Sequence, residues 1–262
     1  MLTLLLIGML SLTFNIQHVK SDWTWTETIY IRADGSVDPD TAPISSVDNI
    51  TYTFTDNIVG DVPELLNAIV VERDDVVVDG AGYTLQGTGS GAGIALSGRS
   101  NVTIKNMEIK AFNEYGLLLS SSSNNIMLGN NITDNGEGIS LSNSSNNRIS
   151  ENNISDNWNG VSLGSSSNNT ICGNSIEDSD YSGVFVSGSL NTDICENNLV
   201  NNMLGIYLSH YSSNNVISRN NVTNTNTGVA IAGQWRGWGV QLTTISPEII
   251  WQTALVVSVL WG

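Results

Sequence analysis

Seven glycines recur along this chain at almost constant intervals, each followed by a hydrophobic–any–hydrophobic triplet. They are Gly93, Gly116, Gly138, Gly160, Gly183, Gly205 and Gly228, separated by 23, 22, 22, 23, 22 and 23 residues. A period of this length excludes a compact mixed fold, because each unit is too short to bury its own apolar side and must stack on a copy of itself. One complete copy runs from Asn146 to Leu163: Asn-Asn-Arg-Ile-Ser-Glu-Asn-Asn-Ile-Ser-Asp-Asn-Trp-Asn-Gly-Val-Ser-Leu. It holds three short hydrophobic stretches of strand length. Asn, Asp, Ser and Gly separate them, residues that accept turns and left-handed backbone angles. No stretch sustains the 3.6-residue period of a helix.

Three strands per repeat, stacked at the ~4.8 Å spacing of paired strands, make a parallel β-helix. The expected fold is all-β, a single-stranded right-handed solenoid of about seven coils of 22–23 residues with an N-terminal cap; the handedness follows the rule for parallel crossovers. The inward columns can be read directly. One is Ile104, Met127, Ile149, Ile171, Ile194 and Ile217, and a second is Ile109, Ile132, Ile154, Ile176, Leu199 and Val222. The third strand contributes pairs such as Leu117/Leu119, Val161/Leu163 and Ile206/Leu208. Each such side chain contributes about 1.5–3 kcal/mol on burial. Asn130, Asn152, Asn174, Asn197 and Asn220 form a further column, whose amides are placed to hydrogen-bond from coil to coil.

The ends differ from the middle. Residues 1–21 read as a secretory leader: an apolar run over 2–14, with Val19 and Ser21 at the −3 and −1 positions of a cut after Ser21. Residues 22–73 lack the repeat and read as the cap, with strand-like runs at Thr28–Arg32 and Ile50–Thr55 and a short helical turn opening at Asp61–Pro63. The repeat occupies 74–233, its first coil (74–100) being irregular, and the Trp-rich segment 234–262 reads as a non-repeat tail that caps, anchors or truncates the solenoid. With the leader removed, 8 cations face 25 carboxylates. So acidic a surface repels nucleic acid and anionic lipid and suits a secreted, periplasmic or cell-surface protein. Asn-x-Ser/Thr sequons at Asn49, Asn101, Asn131, Asn143, Asn153, Asn168 and Asn221 are glycan acceptors or a by-product of an Asn/Ser-rich repeat.

The Asn-Asn-x-Ile-x-x-Asn-x-Ile…Gly-Ile-x-Leu unit resembles the NosD-type right-handed β-helix proteins, within the broader pectate-lyase-like group of carbohydrate-binding and sugar-hydrolase domains. The resemblance covers 74–233 well and 22–73 more loosely. It implies the fold, and a fold of this kind hosts many activities. The NosD name implies periplasmic copper handling, for which this chain is poorly equipped: after the leader it offers His210, Met107, Met127 and Met203, and Met127 belongs to a core column.

Three features carry candidate chemistry. Asp134, Asp156 and Asp178 recur at 22-residue intervals after the second strand, the column continuing as Asn201 and Asn224. They are candidate calcium ligands or a catalytic carboxylate pair, since stacked coils approach the ~5–5.5 Å spacing of a retaining glycosidase; plain turn chemistry also explains Asp there. Trp158 and Tyr181 take matching places two residues before the glycine, and Phe185 and Tyr207 take the outward position of the third strand. Outward aromatics on neighbouring coils pack against sugar rings or brace the sheet. Cys172 and Cys195 share a column, at a spacing that admits a disulfide or free stacked thiols. The Asp column has no arginine in the neighbouring turn and His210 falls in a different one, so the catalytic set of a pectate lyase or polygalacturonase is not assembled. The sequence therefore favours a structural or adhesive, carbohydrate-binding protein that requires no cofactor, with calcium as the one candidate ion and a polysaccharide or surface glycan as partner. A lyase or hydrolase working on the Asp134/Asp156/Asp178 face is the alternative.

Overall fold

The computed structural model describes residues 22–25, 27–60 and 66–233, with three further strands at Thr244–Ile245, Ile250–Trp251 and Val257–Trp261. The proposed leader and the helical turn opening at residue 61 lie outside the described residues.

Three parallel sheets of 10, 10 and 11 strands run the length of the molecule, each gaining one strand per coil. A representative coil passes through Arg148–Ser150 in the first sheet, Asn153–Ser155 in the second and Asn159–Gly164 in the third. Register is unbroken from coil to coil: Ile149 pairs with Ile171, Ile154 with Ile176, and Val161 with Val184. The inward Ile, Leu and Val columns are buried at 0–2% exposure and form one continuous core.

The diagnostic glycines have a steric cause. A Cβ on Gly116 would lie 2.7 Å from the carbonyl oxygen of Gly138 and 2.8 Å from Ile132 Cγ2, and Gly183 meets the same obstacle in Gly205 and Leu199. The backbone bends here over the core side chain of its neighbour, and only glycine fits.

In the central coils the corners follow one rule: a residue in the left-handed region is followed by an inward polar residue. Glu151 (φ 59°) precedes buried Asn152, Asp156 (φ 55°) precedes Asn157, Ser165 (φ 52°) precedes Ser166, and Asn168 (φ 57°) precedes Asn169. The inward amides build ladders. Asn152 Oδ1 accepts hydrogen bonds from both the backbone N and the Nδ2 of Asn130, while its own Nδ2 donates to Asn174 Oδ1 and to the carbonyls of Met127 and Ser150. Besides the column anticipated from sequence there are parallel ladders at Asn125–Asn147–Asn169 and Asn135–Asn157, and a hydroxyl ladder at Ser122–Ser144–Ser166–Ser189. Most buried polar groups are thereby satisfied within the stack, Ser179 Oγ and Thr192 Oγ1 being exceptions among the described residues.

The boundaries need correction. Residues 22–73 are more than a cap: Thr51–Phe54, Ile58–Gly60 and Ile69–Val71 already form a full coil, in parallel register with Val77–Asp79, Thr84–Gln86 and Ala92–Ser97. The coil over 74–100 is therefore the second, and the solenoid of about eight turns agrees with the architecture expected from the repeat. Among the described strands, only Val37–Asp38 and Ile44–Ser45 pair antiparallel, as capping additions. At the other end, the strands Thr244–Ile245, Ile250–Trp251 and Val257–Trp261 extend the three sheets in parallel register, where the sequence pattern had broken.

Candidate functional site

The corner between the second and third sheets carries the candidate residues. Asp134, Asp156 and Asp178 occupy its left-handed position (φ 56°, 55° and 52°), followed in the column by Asn201 and Asn224 at 56° and 54°. Asp and Asn are the non-glycine residues that enter this region most readily, so backbone conformation accounts for the column. Its carboxylates are exposed, one per coil. Among the described residues no three His, Cys, Asp or Glu side chains converge as a metal site needs, and the calcium set expected from sequence is not brought together.

Corner length varies between coils. From the left-handed Asp to the diagnostic glycine there are four steps at Asp156–Gly160 and five at Asp178–Gly183. Ser179 stands in the ladder column where Asn157 stands one coil earlier, and its Oγ is buried without a partner. Backbone N–H groups of Asp180 and Tyr181 still bond to the carbonyls of Asn157 and Trp158, at 2.9 Å each. Tyr181 consequently lies flat against Trp158, ring centroids 5.7 Å apart and planes 10° from parallel. Tyr207 meets Tyr181 edge-on at 6.0 Å and Phe185 at 5.4 Å. The four aromatics that the sequence placed as two separate pairs form one contiguous cluster spanning three coils. Trp158 remains 55% exposed even with one face covered. Partial burial, with the Tyr181 hydroxyl alongside, raises the Tyr207 phenol above its ordinary pKa.

Beside the cluster runs an open groove of about 470 Å³, lined by Asp156, Asp178, Asp180, Asn201, Met203 and Asn226 among others. Asp180 and Asn226 were not singled out from sequence, and Met203 only as a copper candidate; the period does mark Met203 and Asn226, because they continue the column of Trp158 and Tyr181. Among the described residues no cation lines the groove. Elsewhere Arg32 is held by Asp38 and Glu72, Arg99 by Asp74, Lys105 by Asp79, Lys110 by Glu108 and Arg219 by Glu196. A second concavity of about 670 Å³ lies at the N-terminal additions, around Arg32, Asp34, Asp38 and Glu72. The copper candidates are scattered: Met107 and Met127 are core residues, Met203 is exposed in the groove, and His210 sits at the corner leaving the third sheet. Cys172 and Cys195 are paired as a disulfide between adjacent coils, Cα atoms 4.6 Å apart, on the outer face of the first sheet.

Such a surface can stack a sugar ring on an indole and accept hydrogen bonds from its hydroxyls. It is poorly arranged for acid–base hydrolysis, which holds one carboxyl in an apolar pocket, whereas Asp156 and Asp178 lie in solvent.

Residues 91–244 match the family of right-handed β-helix regions, and the chain belongs to that family. No curated protein matches it in sequence. Among solved structures it is similar to the periplasmic alginate epimerase AlgG, with a TM-score of 0.60 and 20% identity over 67% of this chain and 48% of the epimerase. It is similar also to an alginate lyase from Paenibacillus sp. str. FPU-7, with a TM-score of 0.51 and 15% identity over 68% of this chain and 79% of the lyase. The chain thus spans about half the length of the epimerase. At these identities the likeness is one of fold, a fold shared with proteins that act on polysaccharide.

Proposed function

We propose that this protein is an exported, non-enzymatic β-helix that binds glycan through the Trp158–Tyr181–Tyr207–Phe185 cluster and serves a structural or adhesive role outside the cytoplasm. The observation that carries this reading is the cluster itself. Four aromatic rings stand together on the surface, with the most exposed of the four at one end and a polar groove alongside. Mere bracing of the sheet would call for buried rings, and Trp158 is more than half exposed. The leader-like N-terminus, the acidic surface and the disulfide support a place outside the cytoplasm. The folds of the epimerase and the lyase, both named for alginate, support a polysaccharide as the class of partner.

The test is affinity electrophoresis of the mature protein through gels containing a panel of polysaccharides, with chain cleavage followed in parallel. Wild-type protein is retarded by at least one glycan and cleaves none. Trp158→Ala, checked by circular dichroism for an intact fold, weakens retardation about tenfold, the loss of about 1.4 kcal/mol of stacking. Cleavage that disappears in Asp156→Asn would instead make the protein a hydrolase or lyase working on the Asp column. Unchanged retardation by Trp158→Ala would move the binding site elsewhere.

A further inference from the structure

Two of the amide ladders break at the same coil. Asn147 donates both its backbone N–H and its Nδ2 to Asn169 Oδ1, at 2.8 and 3.2 Å. The next residue of that column is Thr192, whose Oγ1 is buried and takes no bond from Asn169. In the second column Asn135 donates the same two bonds to Asn157 Oδ1, at 2.9 and 3.1 Å. There the next residue is Ser179, whose Oγ is likewise buried and unpartnered. The Asn130 column passes on unbroken, through Asn152, Asn174 and Asn197. Toward its predecessor this coil has therefore lost two of its three interior amide contacts.

The disulfide closes on that coil. Ser179 and Thr192 both lie between Cys172 and Cys195. The two strands it joins, Thr170–Cys172 and Asp193–Cys195, begin directly after Asn169 and Thr192. The covalent bond thus spans the very step between coils at which the amide bond is missing. The same coil carries Tyr181 and Phe185, while Trp158 belongs to the coil before it and Tyr207 to the coil after it. Each ring contact of the aromatic cluster therefore joins this coil to a neighbour.

From this coincidence we infer that Cys172–Cys195 is a redox-controlled clamp on the aromatic site. Oxidised, it holds the 172–195 coil against its neighbours in place of the missing amides. Reduced, it lets that coil loosen, and the rings lose their fixed arrangement. Both cysteines are half-buried on the outer face of the first sheet, where a thiol can reach them. A dithiol supplies the two electrons and two protons: the Sγ–Sγ bond breaks, each sulfur becomes a thiol, and the dithiol closes to its own cyclic disulfide. The clamp follows from the ladders alone; its effect on binding rests on the glycan-binding reading above.

Hydrogen exchange followed by mass spectrometry tests the clamp on the mature protein, oxidised and after treatment with dithiothreitol. Exchange over residues 173–194 is expected to quicken at least about tenfold on reduction, because a cross-link restrains the opened state of the loop it closes. Residues 126–147, tied by amides in all three columns, keep their rate. Cys172→Ser combined with Cys195→Ser behaves as the reduced protein without any reductant. Thr192→Asn returns an amide to the broken step and slows exchange of the coil in the reduced protein. Equal exchange before and after reduction, equal quickening in both coils, or no slowing by Thr192→Asn would overturn the clamp. In affinity electrophoresis the double serine variant is expected to bind its polysaccharide about tenfold more weakly than the oxidised protein, the cost of reordering two loosened side chains. Quickened exchange with unchanged retardation would overturn the control of binding and leave the glycan-binding reading standing. No retardation of the oxidised protein by any polysaccharide would overturn that reading, with the exchange rates still deciding the clamp.

Discussion

The N-terminal coils, up to Phe112, and the central coils beyond Tyr115 trace the same path with opposite corners. In the last N-terminal coil the inward corner residues are Val102, Met107 and Phe112, all buried at 0–2% exposure. One coil later the same three places hold Asn125, Asn130 and Asn135. All three amide ladders begin in this single step: the backbone N–H groups of Val102, Met107 and Phe112 donate to Asn125, Asn130 and Asn135 Oδ1 at 2.9, 3.3 and 3.0 Å. Below that step the corners are filled by packing. Phe112 occupies the space that a side chain on Gly87 would take, and Tyr52 is buried with its hydroxyl bonded to the Gly35 carbonyl and to Arg73. Ion pairs also concentrate there, through Arg32, Arg99, Lys105 and Lys110. An apolar corner stabilises by burial and tolerates irregular neighbours. An amide ladder stabilises only where both neighbours supply a partner, so it is regular or it fails.

That difference sets the largest expected effect. Asn152→Ala removes five hydrogen bonds in one substitution and leaves the Asn130 N–H and amide, the Met127 carbonyl and the Asn174 amide short of partners in the interior. Unpaired buried groups cost about 1–3 kcal/mol each. A loss of about 4 kcal/mol in urea-unfolding free energy is expected, more than truncating a surface ion-pair residue of the N-terminal coils. A loss below 1 kcal/mol would mean that the ladder ornaments a stack held by isoleucine alone. Next comes Gly138→Ala. Its methyl would lie 2.6 Å from the Gly160 carbonyl oxygen and 2.9 Å from Ile154 Cγ2, an overpacking of about 2–3 kcal/mol. Gly164→Ala is the control, because its methyl meets nothing nearer than the Leu141 carbonyl at 3.9 Å, and its stability should be unchanged.

The same contrast explains what sequence alone could reveal. The glycine period, the isoleucine columns and the Asn130 column are visible because identical residues recur at identical places. The N-terminal coils hide their membership because Val102, Met107 and Phe112 share neither size nor chemistry with the asparagines that follow them. Two of the other ladders are obscured by substitution within the column: Asn169 gives way to Thr192 and Asn157 to Ser179. The positions of Trp158, Tyr181, Phe185 and Tyr207 could be read as outward. That they meet in one cluster depends on the five-step corner at Asp178–Gly183 and on ring orientation, which no spacing encodes. The Asp column was legible as a row, and its left-handed backbone supplies a reason for the row that involves no ligand.

A ladder position lost to substitution offers the converse experiment. Thr192 stands between Asn169 and Asn215 with its Oγ1 buried and unpartnered, though its backbone N still donates to Asn215 Oδ1 at 2.9 Å. Thr192→Asn restores the amide between its neighbours, and a gain of about 1 kcal/mol is expected from the added bonds. Destabilisation would show that the column has already adapted to the smaller side chain.

The smallest effect belongs to the N-terminal half and is read in acid. Glu108 accepts a hydrogen bond from Thr84 Oγ1 at 2.6 Å and an ion pair from Lys110, and these outweigh its partial burial to hold the carboxyl below its ordinary value of 4.5. A carboxyl whose folded pKa is depressed stabilises the fold fully above its unfolded pKa, and the contribution fades as pH falls from there through the folded value. The window therefore opens near pH 4.5 and extends downward. Glu108→Gln keeps a hydrogen-bond acceptor for Thr84 but cannot titrate, so its stability should fall less steeply than wild type across that window while lying slightly lower at neutral pH. The ladder variants carry no titrating group in the changed position and should keep the wild-type slope. If Glu108→Gln and wild type lose stability in parallel below pH 4.5, the ion pairs of the N-terminal coils contribute nothing measurable, and packing alone distinguishes those coils from the amide-stacked ones.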